Sequence, residues 1–363
     1  MLKCMNTDFS KKINVAIVGV GNVASALVQG IEYYKLNMNE KLGLLKEITR
    51  YDVPNFNFSL GIDINKNKVG KDLSEAIFVK PNCAEFLHKP EILNAKVIKG
   101  PVLDGLDSNI KNYVPTDEED ASTDVQAELI NNKIDVVAIL LPTGSQAAAE
   151  FYAKAAIEAG CAVVNGMPAS IANNKEIVAL AEEKNIPLIG DDVKSQIGAT
   201  IIHRSLSNLF PMRGAIMDRT IQLDWGGDMD FCNLLSNGRY EKGKRQGKTE
   251  AVVEHLPNKD SVDVQISAVD YIPFLENQKE AYTRIEGRIF GGKKVRMDIT
   301  MQVKDGYNSA GIIADMIRVA KIAMDKNHKG VINPASAFFN KRPPIQMEDD
   351  RAKRELLDFL NKD

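Results

Sequence analysis

The sequence predicts an α/β fold, a doubly wound parallel sheet into which a second, α+β unit is inserted. Three observations carry this reading. A strand, a glycine turn and a helix follow one another over residues 13–29, and apolar strands alternate with helical segments to about residue 200. After about residue 215 the pattern changes to alternating apolar and polar residues.

Ile13–Val18 is a short apolar run of the kind that becomes a buried parallel strand. Gly19 and Gly21 then turn the chain, and a helical pattern begins at once. The spacing Gly19-x-Gly21-x-x-Ala24 fits the Rossmann dinucleotide fingerprint with Ala in its last place. Gly19 permits the tight turn, Gly21 lets the backbone approach a pyrophosphate, and Ala24 lets helix and strand pack closely. Asn22 and Val23 open a helix whose free N–H groups and partial positive charge receive the anion. The next strand, Phe56–Asp63, closes on an acidic residue placed to hold the adenosine ribose. Asp63 stands 44 residues after Gly19, well beyond the usual spacing of about 20. The excess lies in residues 32–54, which read as an insertion. An ordinary turn at a strand end also accounts for an Asp here. No basic residue immediately follows to receive a 2′-phosphate, so the expected cofactor is NAD rather than NADP.

Val69–Phe78 has a helical pattern, and residues 79–123 read as irregular, with Thr116–Asp120 a surface excursion. Asp124–Asn131 is predicted helical. Ile134–Leu141 is the clearest buried strand and runs into Pro142 and Thr143. Helix Gln146–Ala159, strand Ala162–Asn165, helix Ile177–Lys184 and strand Ile186–Ile189 complete the alternation. Ligands of such sheets lie beyond the carboxyl ends of the strands. The cofactor-facing residues are therefore expected among Gly19, Gly21, Asn22, Val23, Ala24, Asp63, Pro142, Thr143, Asn165 and Asp192. Further on, Arg219–Trp225, Asp263–Ser267, Ala281–Glu286 and Lys294–Val303 predict an antiparallel sheet with one wet or partner-covered face. Ser309–Met324 returns to helical spacing. Residues 1–200 and 306–363 thus read as one domain, with 201–305 inserted into it.

The 363 residues are 44% hydrophobic and 26% charged with a formal net charge of −3. These values fit a soluble globular protein and give no electrostatic case for nucleic acid or membrane. No signal peptide or membrane-length apolar run is read. Cys4, Cys83, Cys161 and Cys232 are scattered, as are His88, His203, His255 and His328. Reduced thiols in a cytoplasmic protein are expected, without a His/Cys metal site.

Two segments carry chemistry. Gly190–Gly198 joins a strand to a helix and places Asp191, Asp192, Ser195 and a mobile Gly around a helix N-terminus, which binds anions. A plain N-cap explains one Asp but not the pair. Trp225–Asp230 ends a strand on two glycines and two carboxylates, and Lys244 and Lys248 follow four apart. Crowded lysines lower one another's pKa toward the range of a general base, although a solvated basic turn has the same composition.

With these segments the chain resembles the myo-inositol-1-phosphate synthase family of the shorter archaeal and actinobacterial type. The matching stretches are Ile17–Asn22, Tyr33–Tyr34, Val69–Phe78, Gly100–Leu106, Asn165–Pro168, Gly190–Thr200, Asp218–Thr220, Gly287–Gly291, Asn308–Gly311 and Pro334–Ala337. The resemblance places active-site lysines at Lys244, Lys248, Lys279 and Lys341, with Asp192, Asp230 and Asp305 as acidic partners. It places the substrate phosphate at Ser195, Gln196 and Gly198, neutralised by Lys279 and Lys248. Two positions depart from the family pattern. Asp228 stands where a Gly-Gly-Asn-x-Asp pattern is usual, and Lys244–Lys248 reads Lys-Arg-Gln-Gly-Lys where a Ser-rich form is usual.

The implied reaction converts glucose 6-phosphate to inositol phosphate. NAD takes a hydride from carbon 5, the ketone acidifies carbon 6, the enolate closes on the carbon 1 aldehyde, and the hydride returns. Negative charge develops on oxygen at each stage, which a lysine cluster stabilises. The resemblance also implies a homotetramer assembled through residues 201–305, and it leaves a divalent or monovalent cation open. An NAD-dependent dehydrogenase of a phosphorylated sugar and a non-catalytic NAD-binding regulator share the dinucleotide half. The presence of all four lysines argues against the regulator.

Overall fold

The computed structural model describes residues 8, 10–106, 108–117, 123–235, 252–253 and 256–362. Seven strands form one parallel sheet: β1 (Ile13–Val18), β2 (Phe56–Asp63), β3 (Val97–Lys99), β4 (Val136–Ile139), β5 (Ala162–Asn165), β6 (Pro187–Ile189) and β11 (Gly330–Val331). Their order is β11-β6-β5-β4-β1-β2-β3. A second sheet contains β7 (Ile216–Gly226), β8 (Asp263–Tyr271), β9 (Gln278–Ile289) and β10 (Lys293–Lys304), in the order β10-β9-β7-β8.

Both faces of the parallel sheet are covered, which is why its strands read as continuous apolar runs. Val15, Ile17, Val136, Ala138 and Val164 face a core shared with α1 (Asn22–Leu36) and α9 (Asp305–Asp325). The alternate residues Ala16, Val18, Val137, Ile139 and Val163 face α4 (Val125–Asn131), α5 (Gln146–Glu158) and α6 (Lys175–Lys184). The remaining helices are α2 (Leu73–Ala76), α3 (Ser108–Lys111), α7 (Ala199–Met212), α8 (Met229–Leu235), α10 (Asn333–Phe339) and α11 (Asp349–Asn361). Helix α7 crosses the expected boundary at residue 200, and its Leu206 and Phe210 pack with Met217 and Ile285 of the second sheet.

Four expectations are corrected. Helix α1 runs to Leu36, so the insertion begins only after it. That segment is held by buried Arg318 of α9, which donates to the carbonyls of Ile48 and Tyr51 at 2.9 and 3.2 Å. Only Leu73–Ala76 of the expected helix 69–78 is α-helical. Gly70 lies at φ +85°, outside helical space, and Asp72 caps the short helix by accepting from Ser74 N at 2.9 Å. Residues 79–123 contain β3, which is too short to show a period. Finally, β8 runs parallel to β7. The long connection of residues 227–262 returns the chain to the same end of the sheet, as a parallel neighbour requires.

Candidate active site

A cavity of about 320 Å³ lies beyond the carboxyl ends of β1, β2 and β4, where the strand order reverses between β1 and β4. Its first wall is the glycine turn. Gly19 has φ +89°, and a Cβ there would stand 2.7 Å from the Leu140 carbonyl oxygen. A side chain would be strained and in collision. A Cβ on Gly21 would meet nothing within 4 Å, so the first turn of α1 is open on the cavity side. Asp63 closes this wall. Its Oδ2 accepts from Val20 N at 2.9 Å and its Oδ1 from Asn65 N at 2.8 Å.

The opposite end is built of lysines and carboxylates. Lys341 Nζ donates to Asp192 Oδ1 at 2.9 Å, with the side chains only 11% and 3% exposed. Asp192 has φ +63°, a conformation Asp tolerates better than most residues. Its N–H donates to Met167 O at 2.9 Å, and its carbonyl accepts from Lys341 N at 2.7 Å. The turn is organised from behind by buried Asp191, which accepts from Asn165 Nδ2, Ile171 N, Ala172 N and Asn173 Nδ2 at 2.7–3.1 Å. Lys279 lies within 4.0 Å of Asp224. Burial opposes its charge, but the carboxylates of Asp305, Asp224, Asp230 and Asp228 outweigh it and hold the ammonium above its usual pKa. Lys279 is therefore a fixed cation.

Asp228 accepts from Asp230 N at 3.0 Å, at the start of α8, and from Asn277 Nδ2 at 3.1 Å. Part of the negative charge expected of this departure is thus offset by helix N–H groups. Asn277 also accepts from Gly306 N at 2.9 Å, joining α8 to the start of α9, where Asp305 lines the cavity. Thr143 Oγ1 donates to Asp230 at 3.2 Å. Ser195 and Gly198 line the cavity at the N-terminus of α7, whose first helical bond is Ile202 N to Gly198 O at 3.0 Å. The N–H groups of Ala199, Thr200 and Ile201 precede that bond.

The cavity therefore brings together Gly19, Gly21, Asn22, Val23, Asp63, Pro142, Thr143, Asp192, Ser195, Gly198, Asp230, Lys279, Asp305 and Lys341. Three expected residues stand off it. Ala24 is buried in the helix–strand contact. Asn165 is also buried, and its amide is spent on Met167 O, Ala169 O and Asp191, behind the wall. Gln196 turns away, its side chain donating to Gly43 O at 2.5 Å and its N–H to Asn308 O at 3.0 Å. The Asn22 side chain likewise serves the fold, accepting from Cys83 N and Ala84 N at 2.7 and 3.1 Å. Lys244 and Lys248 lie outside the described residues.

Sequence reading missed several wall residues. Lys68 Nζ stands 3.9 Å from Asp63 Oδ2, so a basic residue does reach that carboxylate, although none follows it directly. It donates to Val20 O and Asn82 Oδ1 at 2.7 and 2.9 Å, and burial depresses its pKa against the pull of Asp63. Asn65 lines the cavity and keeps Nδ2 buried without a partner, as Asp192 keeps Oδ2. Asp104 accepts from Ala147 N and Ala148 N at 2.7 and 2.9 Å, capping α5 from outside it and pinning loop 100–106 across the cavity. The Asp-Gly step in Gly100–Leu106 was the visible signal. Among the described residues no group of three or more His, Cys, Asp or Glu is arranged to hold a metal ion. No helix among them is long and apolar enough to cross a membrane.

Comparison with known proteins identifies this architecture. The inositol-3-phosphate synthase of Corynebacterium glutamicum is 42% identical over 358 residues, covering 96% of this chain and 98% of that protein. The chain belongs to the myo-inositol-1-phosphate synthase family. The inositol-3-phosphate synthase of Mycolicibacterium smegmatis is also 42% identical, over 98% of this chain and 99% of its own length. The family model for myo-inositol-1-phosphate synthase matches residues 198–306, from the N-cap of α7 to the start of α9. A solved myo-inositol-1-phosphate synthase-related protein from Thermotoga maritima shares the fold, with a TM-score of 0.76 at 23% identity over 96% of this chain and 98% of that one. The synthase family thus spans the second sheet as well as the dinucleotide half.

Proposed function

We propose that the protein converts glucose 6-phosphate to inositol phosphate with NAD acting catalytically. The observation that carries this reading is the cavity in which an open dinucleotide turn at one end faces Lys279, Lys341 and the carboxylates of Asp192, Asp228, Asp230 and Asp305 at the other. The residues present suit NAD. Room at Gly21 and the open first turn of α1 fit a pyrophosphate, Asp63 fits the ribose, and Asn65 Nδ2 and Asp192 Oδ2 are buried polar atoms in need of partners. NAD, when bound, accepts a hydride from the substrate and later returns it.

The chain supplies the rest. Ser195, Gly198 and the first N–H groups of α7 hold the substrate phosphate, with Lys279, and Lys248 from the adjoining segment, neutralising it. Lys341, oriented by Asp192, stabilises the oxygens on which alkoxide and enolate charge develops, a role the family resemblance also gives to Lys244. Asp230, tied to Thr143, and Asp305 keep the lysines charged and aimed. Residues 1–200 and 306–363 form the NAD-binding unit and 201–305 the catalytic and oligomerisation unit, with α7 bridging them.

A homotetramer formed through the second sheet is part of this proposal, motivated by Phe274 and Phe290, which stand 83% and 99% exposed. A monomer in sedimentation at micromolar concentration would count against it. A divalent or monovalent cation enters as an assay variable, turnover being compared with chelator, magnesium and potassium. The test of the function itself is phosphorus and proton NMR of the product formed from glucose 6-phosphate. An inositol monophosphate, with its six-membered carbon ring, supports the reading, and an open-chain or oxidised sugar phosphate rejects it.

A further inference from the structure

Strand β7 places polar residues where a core-facing strand usually carries apolar ones. Thr220, Gln222 and Asp224 are buried, whereas the intervening Ile221, Leu223 and Trp225 are only half-buried. His203 of α7 meets this row. Its Nδ1 lies 3.0 Å from Gln222 Oε1 and its Nε2 2.6 Å from Thr220 Oγ1. Gln222 Nε2 donates to both oxygens of Asp224, at 2.9 and 3.1 Å. Asp224 Oδ2 stands 4.0 Å from Lys279 Nζ. Lys279 lines the cavity, and Asp224 lies behind it. The geometry follows from the sheet register, since Asp224 pairs with Ala281 and so meets Lys279 on the diagonal.

Apolar side chains would pack this face at less cost, because every member of a buried polar row must be satisfied. The placing of the Gln222 amide selects one proton arrangement for the His203–Gln222–Asp224 part of the row, while the single Thr220 Oγ1 hydrogen lies between His203 Nε2 and the Arg284 carbonyl oxygen, which is 2.7 Å away. Burial keeps His203 neutral, its pKa pushed down to about 4 despite Gln222 and Asp224. With Nδ1–H donated to Gln222 Oε1, the amide must present its Nε2 to the carboxylate. A flipped amide would set oxygen against carboxylate and N–H against N–H. The imidazole thereby fixes the amide, and the amide fixes the carboxylate beneath the lysine.

We propose that Asp224 is the positioning residue for Lys279, and that His203 acts through Gln222 to hold it in place. This rests on the reading of Lys279 as a ligand of the substrate phosphate. The row sets affinity for the phosphate and leaves the reacting carbons to other residues. A row that merely fills the core would affect stability alone.

The test uses the full-length enzyme and the variants Gln222→Leu, His203→Leu and His203→Asn. Asn carries an N–H donor near the place of Nδ1–H, and Leu does not. Gln222→Leu and His203→Leu are expected to raise KM for glucose 6-phosphate about tenfold or more, by analogy with residues that orient metal ligands, with a smaller change in kcat. His203→Asn is expected to recover most of the affinity. Calorimetric titration with inorganic phosphate should show the same order of affinities. Wild-type KM and phosphate affinity in folded Gln222→Leu and His203→Leu would overturn the proposal, as would failure of His203→Asn to exceed His203→Leu. Should His203→Leu not fold, Gln222→Met supplies the same comparison. If the wild type makes no inositol phosphate, the functional reading falls, and the phosphate titration still decides the positioning claim.

Discussion

Replacing Lys341 with Met separates the catalytic and structural parts of one ion pair. Lys341 Nζ lies 2.9 Å from Asp192 Oδ1, the pair is 11% and 3% exposed, and Asp192 Oδ2 has no partner. Lys341→Met leaves a buried carboxylate without its cation, which costs about 3 kcal/mol of stability. It also removes a preorganised donor from the reacting oxygens, which costs roughly 10²–10³ in kcat, or about 3–4 kcal/mol. Lys341→Met with Asp192→Asn removes both charges. Its stability should exceed the sum of the single effects by about 1–3 kcal/mol, because the two side chains touch. Its turnover should stay as low as that of Lys341→Met. Urea unfolding gives the first quantity and steady-state assay the second. Turnover within tenfold of wild type in Lys341→Met, alongside reduced stability, would show that the lysine only holds the turn at Asp192.

Lys279→Ala should differ from Lys341→Met by raising KM for glucose 6-phosphate as well as lowering kcat; equal KM effects in the two variants would remove the division of roles. NAD should bind much more tightly than NADP, and Asp63→Ala should narrow that gap in paired titrations; equal wild-type affinities would refute the ribose role of Asp63. The buried His203 makes stability depend on pH, since burial lowers its pKa from the ordinary 6.5 of an exposed imidazole to about 4 in the folded protein. The unfolded chain takes up the proton first as pH falls below about 6.5, so stability declines from there toward pH 4. Between pH 7 and pH 5 denaturant melts should lose about 2 kcal/mol on this account, and His203→Asn should lack that loss. An unchanged pH profile in His203→Asn would contradict the neutral, buried imidazole.

The dinucleotide half was legible because its signals are local. Gly19, Gly21 and Ala24 sit on consecutive turns, and fully buried strands such as β4 and β5 announce themselves as apolar runs. β3 and β11 escaped because two or three residues show no period. The parallel pairing of β8 was hidden because pairing direction depends on the path of a long connection. Period-two alternation revealed β7 but not which face is inward, so the buried row Thr220, Gln222 and Asp224 could not be read from it. Similarly, Asn165 and Gln196 sit in the right loops, yet a loop assignment does not say which side chains turn inward. Asn165 holds Asp191 behind the wall and Gln196 braces Gly43.

In the proposed function the cofactor is regenerated on the enzyme within each cycle, because the cavity unites a dinucleotide turn with a lysine–carboxylate cluster. The most direct measurement gives purified enzyme glucose 6-phosphate in large excess over total NAD and counts product formed per NAD. Many molecules of inositol phosphate per NAD, with no matching rise in NADH absorbance, is the predicted result. Product formation that halts at one molecule per NAD, with NADH appearing mole for mole, would make the protein a sugar-phosphate dehydrogenase and contradict the account.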